Sequence, residues 1–167
     1  SWFILGEILQ QITKQPFPEL IRELILEPLG MTESWIGMPL NAYEQQQENI
    51  AYVYQREKGE MLLTDWHEAP RCLKPSPGGN ARGPIRELGW FYECLLHQGM
   101  PVFEPQTVET MTTRHRTGAF DLTLQHIVDY GLGFIINSNR YGEATVPYGF
   151  GKYASDRSFG HGGSQSS

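Results

Sequence analysis

The spacing of apolar residues changes along the chain from a helical to a strand pattern, and this change narrows the choice of folds. Apolar side chains recur every three or four positions, as on one face of a helix, in residues 2–13, 18–26 and 84–98. A shorter helix is predicted at 104–111. Residues 130–138 and 158–167 instead predict two antiparallel strands. Helices followed by strands, without regular β-α-β alternation, predict an α+β fold that combines an antiparallel sheet with helices.

Prolines and a change of pattern divide the chain into three regions. Residues 1–29 predict a helical hairpin, because Pro16 and Pro18 interrupt and restart the apolar helical pattern. Residues 30–128 are expected to be mainly helix and loop. Residues 129–167 are expected to supply the sheet strands, and they include an H-G-G motif.

Smaller features give further predictions. Alternating runs at 51–54 and 61–63 flank K-G-E and predict a β-hairpin. Gly6 lies inside a helical pattern, where glycine is unfavourable, so it indicates a close backbone contact. Cys94 is expected to be a small core residue. The 84–98 helix is expected to turn inward the side chains of Ile85, Leu88, Phe91, Tyr92, Leu95 and Leu96.

Composition excludes several classes of protein. With 40% hydrophobic and 19% charged residues, the chain is globular rather than disordered. A net charge of −6 without a Lys/Arg cluster argues against a nucleic-acid surface. The apolar runs are too short to span a bilayer, so no membrane segment is expected.

The first residues suggest a piece of a longer protein. The chain begins with Ser1, is in a helical pattern by its second residue and carries no signal-peptide pattern. We therefore expect an internal-to-C-terminal fragment. Its last predicted strand would leave an unpaired sheet edge, which predicts marginal stability and aggregation of the chain alone. Compartment and oligomeric state stay open at this stage.

The segment G-H-G-G-S at 160–164 is the most informative motif. Glycines weaken a strand, so three of them indicate that something approaches the backbone closely. In an acyl-transfer enzyme this would be a substrate carbonyl, whose developing negative charge needs backbone N–H donors. His161 would then point into the cleft. The alternative is a glycine-rich turn with an exposed histidine.

The sequence does not match other catalytic motifs or metal-binding motifs. Residues 162–166 read G-G-S-Q-S and lack the closing glycine of G-x-S-x-G, and S-x-x-K does not occur in the chain. The five histidines show no metal-ligand spacing, so no metal is expected. Asp121, His126 and Asp129 are close in sequence, but a solvated loop is the favoured interpretation. Three aromatic residues could line an apolar pocket, although core or rim positions are favoured for them: Trp35, Tyr54 and Trp66.

Taken together, these segments resemble the beta-lactamase-related serine hydrolases, a family that groups class C beta-lactamases, D-alanyl-D-alanine carboxypeptidases, D-aminopeptidases and family VIII esterases. The resemblance covers nearly the whole chain. The matching stretches are F-I-L-G-E-I-L-Q-Q-I-T (3–13), L-I-R-E-L-I-L-E-P-L-G-M-T-E-S-W-I-G (20–37), G-P-I-R-E-L-G-W-F-Y (83–92), Y-G-L-G-F (130–134) and F-G-H-G-G-S-Q-S-S (159–167). It implies part of a beta-lactamase/transpeptidase-like α+β fold over residues 1–167.

The resemblance also implies site residues. His161, Gly162 and Gly163 match the family's K-T-G or H-x-G strand, and the backbone N–H of Ser164 would be one oxyanion donor. The family's nucleophile is the serine of S-x-x-K, helped by a tyrosine motif. Both are expected upstream of Ser1, so the 167 residues alone are expected to be inactive.

The resemblance thus implies a parent serine hydrolase that acts through an acyl-enzyme on an ester or amide, without a cofactor. His161 stands where beta-lactamases and transpeptidases mostly carry lysine, which favours an esterase or amidase over an enzyme for lactams. A beta-lactamase or D-Ala carboxypeptidase proper stays open, as does a non-catalytic binding protein with this fold. The expected partners are small ester, amide or lactam substrates.

Overall fold

The computed structural model describes residues 2–145 and 150–162, and the chain divides into two compact units between His97 and Gln98. Both combine helices with small antiparallel sheets, so the α+β prediction is confirmed. In these residues no helix is long and apolar enough to cross a membrane.

The first unit is mainly helical. Its helices are α1 (Trp2–Thr13), α2 (Phe17–Ile21) with a π-helical turn (Arg22–Leu26), α3 (Leu40–Gln46) with a 3-10 turn (Gln47–Asn49), α4 (Ala69–Cys72) and α5 (Ile85–Leu96). Its strands are β1 (Trp35–Ile36), β2 (Tyr54–Glu57), β3 (Glu60–Leu63) and β4 (Ala81–Arg82). They form two antiparallel pairs, β1 with β4 and β2 with β3.

The predicted hairpin around K-G-E is confirmed. β2 and β3 pair antiparallel with Glu57 opposite Glu60. Lys58 and Gly59 form the turn with φ of 49° and 92°, and such positive values match the twist of a two-residue hairpin. A turn of this kind is encoded locally, which is why the sequence reveals it.

The predicted inward face of α5 is partly wrong. Leu95 and Cys94 are buried, as expected for Cys94, but Ile85 and Leu96 are 82% and 70% exposed. Leu88 is also exposed. The buried acidic residue of this helix is Glu87, whose carboxylate accepts hydrogen bonds from the Ser34 hydroxyl (2.6 Å) and the Glu33 N–H (3.1 and 3.2 Å). Helix α5 therefore binds the chain before β1 through a polar contact.

The second unit carries the sheet that leads to the H-G-G motif. Its elements are α6 (Pro105–Thr112), β5 (Phe120–Asp121), β6 (His126–Ile127), β7 (Asp129–Tyr130), β8 (Ile135–Ile136), a 3-10 segment (Asn139–Thr145) and β9 (Phe159–Gly160). β5 pairs antiparallel with β6, and β7, β8 and β9 form an antiparallel sheet in that order.

The single strand predicted at 130–138 is instead two strands with a reversal between them. The Gly131 N–H donates to the Phe134 carbonyl, and Gly133 has a φ of 86°. A Cβ on Gly131 would lie 2.2 Å from the carbonyl oxygen of Met111. The glycines that suggested a bulge or close approach therefore permit both the reversal and a backbone contact.

Gly6 provides a test of the close contact predicted for α1. A Cβ there would lie 2.3 Å from Cγ of Pro77, whereas a Cβ on Gly89 of α5 would meet nothing within 4 Å. Gly89→Ala should stabilise the protein by about 1 kcal/mol through helix propensity. Gly6→Ala should destabilise it by about 1–3 kcal/mol, because overpacking outweighs that gain.

Urea denaturation of the two variants checks this prediction. Both are Gly→Ala changes inside helices, so the comparison separates contact from propensity. Equal stabilisation by both would contradict the close contact at Gly6.

Candidate active site

The H-G-G motif begins where the edge strand β9 ends. β9 pairs antiparallel with β8, with Gly160 opposite Ile135 and Phe159 opposite Ile136, so the predicted antiparallel pairing is confirmed. His161 and Gly162 follow directly and are exposed. Gly163 and Ser164 lie outside the described residues, and the oxyanion role expected for the Ser164 N–H stays a prediction.

Apolar packing supports β9 from within the second unit. Ile135 and Ile136 of β8 are buried, and the rings of Phe134 and Phe159 meet edge to face at a centroid distance of 5.3 Å. A Cβ on Gly160 would lie 2.9 Å from the ring of Phe150. Gly160 therefore leaves room for the Phe150 ring, in addition to any approach of substrate to the glycines that follow.

A buried carboxylate organises the same sheet. Asp129 is fully buried at the start of β7. Its oxygens accept hydrogen bonds from four donors: Arg114 Nε (2.9 Å), Arg140 Nη2 (2.5 Å), the Tyr141 hydroxyl (3.0 Å) and the Gly118 N–H (2.9 Å). The interpretation of Asp121, His126 and Asp129 as a solvated loop is wrong, since Asp129 and His126 are buried. The partners lie 11 to 15 residues from Asp129, too far for a local motif to reveal.

Low pH should weaken the hydrogen-bond network around Asp129. Burial alone would raise the pKa of Asp129, but hydrogen bonds from Gly118 and Tyr141 and the charge of Arg140 hold it below its ordinary value. A pKa lowered on folding stabilises the protein above the unfolded value of about 3.9. That contribution is lost as the pH falls below about 4, toward and through the folded pKa.

We therefore expect the urea midpoint to fall between pH 6 and pH 3, and to fall less in Asp129→Asn. Hydrogen bonds from Leu124 and Arg116 also lower the pKa of Asp121, so part of the pH dependence should remain in that variant. Identical pH profiles for the wild type and Asp129→Asn would contradict the assignment.

Trp35 lies in a cleft of the first unit. The cleft has a volume of about 390 Å³ and is lined in part by Trp35, Met38, Val53 and Arg82. Trp66 lies under Arg71, 5.3 Å from the guanidinium carbon to the ring centroid. In the part of the chain that the structure describes, no three His, Cys, Asp or Glu side chains are grouped to hold a metal ion.

Comparison with known proteins decides the family. The family model described as Beta-lactamase matches residues 1–167. The chain belongs to the beta-lactamase family. The assignment of His161 to this family's K-T-G or H-x-G strand stays a prediction.

Individual relatives are distant. A protein of Escherichia coli O157:H7 assigned as a D-alanyl-D-alanine carboxypeptidase is 24% identical over 98% of the chain and 38% of its own length. A penicillin-binding protein homologue from Caulobacter crescentus matches 93% of the chain and 43% of its own at 23% identity, with a TM-score of 0.63. EstCE1, a hydrolase with promiscuous acyltransferase activity, matches 80% and 38% at 18% identity, also with a TM-score of 0.63.

These likenesses establish the fold. The structural matches show part of the fold of a penicillin-binding protein homologue and of EstCE1, as the resemblance implied. This beta-lactamase-family chain spans less than half the length of each of these relatives.

Proposed function

We propose that the protein carrying this chain is a serine hydrolase that acts on an ester or amide through an acyl-enzyme. The observation that carries the proposal is the exposed His161, placed directly after the edge strand β9 in a chain that matches the beta-lactamase family throughout. Relatives named as a carboxypeptidase and as a hydrolase with acyltransferase activity support a reaction at a carbonyl carbon.

In this proposal the chain supplies one side of the active site, formed by residues 161–164. A serine outside these 167 residues attacks the carbonyl carbon, and negative charge develops on the carbonyl oxygen. Backbone N–H groups, that of Ser164 among them, stabilise this charge, and His161 contacts the same transition state. The serine loses its hydroxyl proton as it attacks, and collapse breaks the bond to the alcohol or amine, which takes up a proton as it leaves. Water then attacks the acyl carbon, and its proton restores the serine hydroxyl as the acid is released. These 167 residues do not contain the S-x-x-K serine, so the chain alone should not turn over substrate.

A fluorophosphonate, which labels activated serines, tests the missing nucleophile by intact mass. The 19.0 kDa chain should show no adduct, whereas the complete protein should gain one. An adduct on the chain alone would mean that one of its own serines is the nucleophile. No adduct on the complete protein would favour the non-catalytic binding protein.

A second candidate is a beta-lactamase or D-Ala carboxypeptidase, which the Escherichia coli relative favours. The residue at 161 favours the esterase or amidase instead, because histidine lacks the compact ammonium with which lysine would hold a substrate carboxylate. Turnover of an aryl ester and of a chromogenic cephalosporin by the complete protein separates the two. Faster hydrolysis of the cephalosporin would overturn the esterase or amidase assignment.

A further inference from the structure

The loop before β9 is held by side chains as well as by strand pairing. β9 contains only Phe159 and Gly160, so its ladder with β8 is short. Residues 154–158 precede it and receive hydrogen bonds from two residues outside the loop, Arg114 and Asn137. We call Arg114 and Asn137 the anchor pair.

Asn137 binds three carbonyls of this loop. It directly follows β8 and is only 1% exposed. Its Nδ2 donates to the carbonyls of Ala154 (3.1 Å) and Ser155 (2.8 Å). Its backbone N–H donates to the carbonyl of Ser158 at 2.8 Å. Both ends of the loop are thereby fixed to the end of β8.

Arg114 connects the middle of the loop to the buried carboxylate. Its Nε donates to Asp129 Oδ2 at 2.9 Å. Its Nη2 donates to the carbonyl of Asn137 (2.8 Å), the carbonyl of Asp156 (2.5 Å) and Asp156 Oδ1 (3.0 Å). Nη2 carries two hydrogens, so one of them is shared between two of these three acceptors, and the planar guanidinium holds its donors in a fixed arrangement toward them.

We propose that the anchor pair positions His161, and that the orientation of the imidazole depends on it. This proposal rests on the proposed function. The anchored carbonyls belong to residues 154, 155, 156 and 158, all within seven residues of His161, and no helix intervenes. A displacement of about 1 Å at a reacting group costs about a hundredfold in rate. Arg114 and Asn137 are therefore positioning residues, which act through the loop and β9.

Arg140 provides the matched control. Arg114 and Arg140 both donate to Asp129 Oδ2, but Arg140 otherwise donates to the Tyr141 hydroxyl rather than to the loop. Arg114→Gln and Arg140→Gln in the complete protein therefore remove the same kind of bond to Asp129. Only Arg114→Gln also releases the loop.

The test combines kinetics with two readouts independent of activity. We expect Arg114→Gln and Asn137→Ala to lower kcat for an aryl ester about 10- to 100-fold, with KM within about threefold of wild type. Amide exchange in 154–160 should accelerate, and the His161 NMR signals should shift. Arg140→Gln should leave kcat, the amide exchange and the His161 signals close to those of the wild type. Its melting temperature should fall by about as much as that of Arg114→Gln.

Equal effects of Arg114→Gln and Arg140→Gln on kcat, on loop exchange and on the His161 signals would overturn the proposal. If Arg114→Gln does not fold, Arg114→Lys takes its place, because one ammonium cannot span Asp129 and Asp156 as the guanidinium does. A wild-type protein that hydrolyses neither esters nor amides would reject the proposed function. The exchange and His161 signals would still decide the role of the anchor pair.

Discussion

Asp129→Ala is expected to lower the free energy of unfolding by about 3–5 kcal/mol, the cost of removing one partner from a buried ion pair. Asp129 is fully buried and bonds to two guanidinium groups, a hydroxyl and a backbone N–H. Alanine would leave these donors without their acceptor. The Arg114 guanidinium, 20% exposed, would be the most affected because water reaches little of it.

Asp156→Ala is the control for this prediction. Asp156 also pairs with Arg114, at 3.0 Å, but its side chain is 64% exposed. Exposed pairs contribute at most about 1 kcal/mol. Urea denaturation of the complete protein, with amide exchange read across β7 and β8, measures both variants. A loss in Asp129→Ala no greater than that in Asp156→Ala would contradict the central role of the buried carboxylate.

His161→Ala is expected to lower kcat/KM of the complete protein for an aryl ester by about 100- to 1,000-fold, the range for losing one group that stabilises the transition state. The melting temperature should hardly change, because His161 is exposed at the end of β9. This separation of activity from stability distinguishes a residue of the site from a residue that supports the fold.

His115→Ala is the matched control, since His115 is also exposed in the second unit and its Nε2 lies 2.8 Å from the carbonyl of Thr110. It should retain wild-type kcat/KM. A His161→Ala variant with wild-type kinetics would leave His161 as a surface histidine in a glycine-rich turn. In that case the family assignment would stand, but the proposed role of His161 in stabilising the transition state would not.

The features that sequence predicts well here depend on neighbours in the chain. The α1 and α5 helices follow from apolar spacing, and the β2–β3 hairpin follows from a two-residue turn at Lys58 and Gly59. Helix α3, in contrast, buries none of its residues, so it leaves no apolar spacing from which the sequence could predict it.

Burial is predicted wrongly from residue type where a charged side chain lies inside the protein. Glu87 lies between Arg86 and Leu88 on α5 and its charge predicts a solvent-facing side chain, but its partner Ser34 is 53 positions away. Likewise Arg114 reaches Asp156 across 42 positions. Such pairs leave no periodic signal, because each partner is positioned by a different element.

The amino-acid sequence by itself determined the α+β class, the family and the antiparallel pairing of the segment that carries His161, since these follow from local periodicity, turns and motif. It predicted His161 inside a strand over 158–167, whereas β9 ends at Gly160 and His161 follows it. Only the tertiary structure decided that Asp129 is buried and that Arg114 and Asn137 hold the loop before β9. It also decided that Gly160 makes room for Phe150. The physical reason is desolvation: a charged or amide side chain is stable inside only when partners from distant segments surround it.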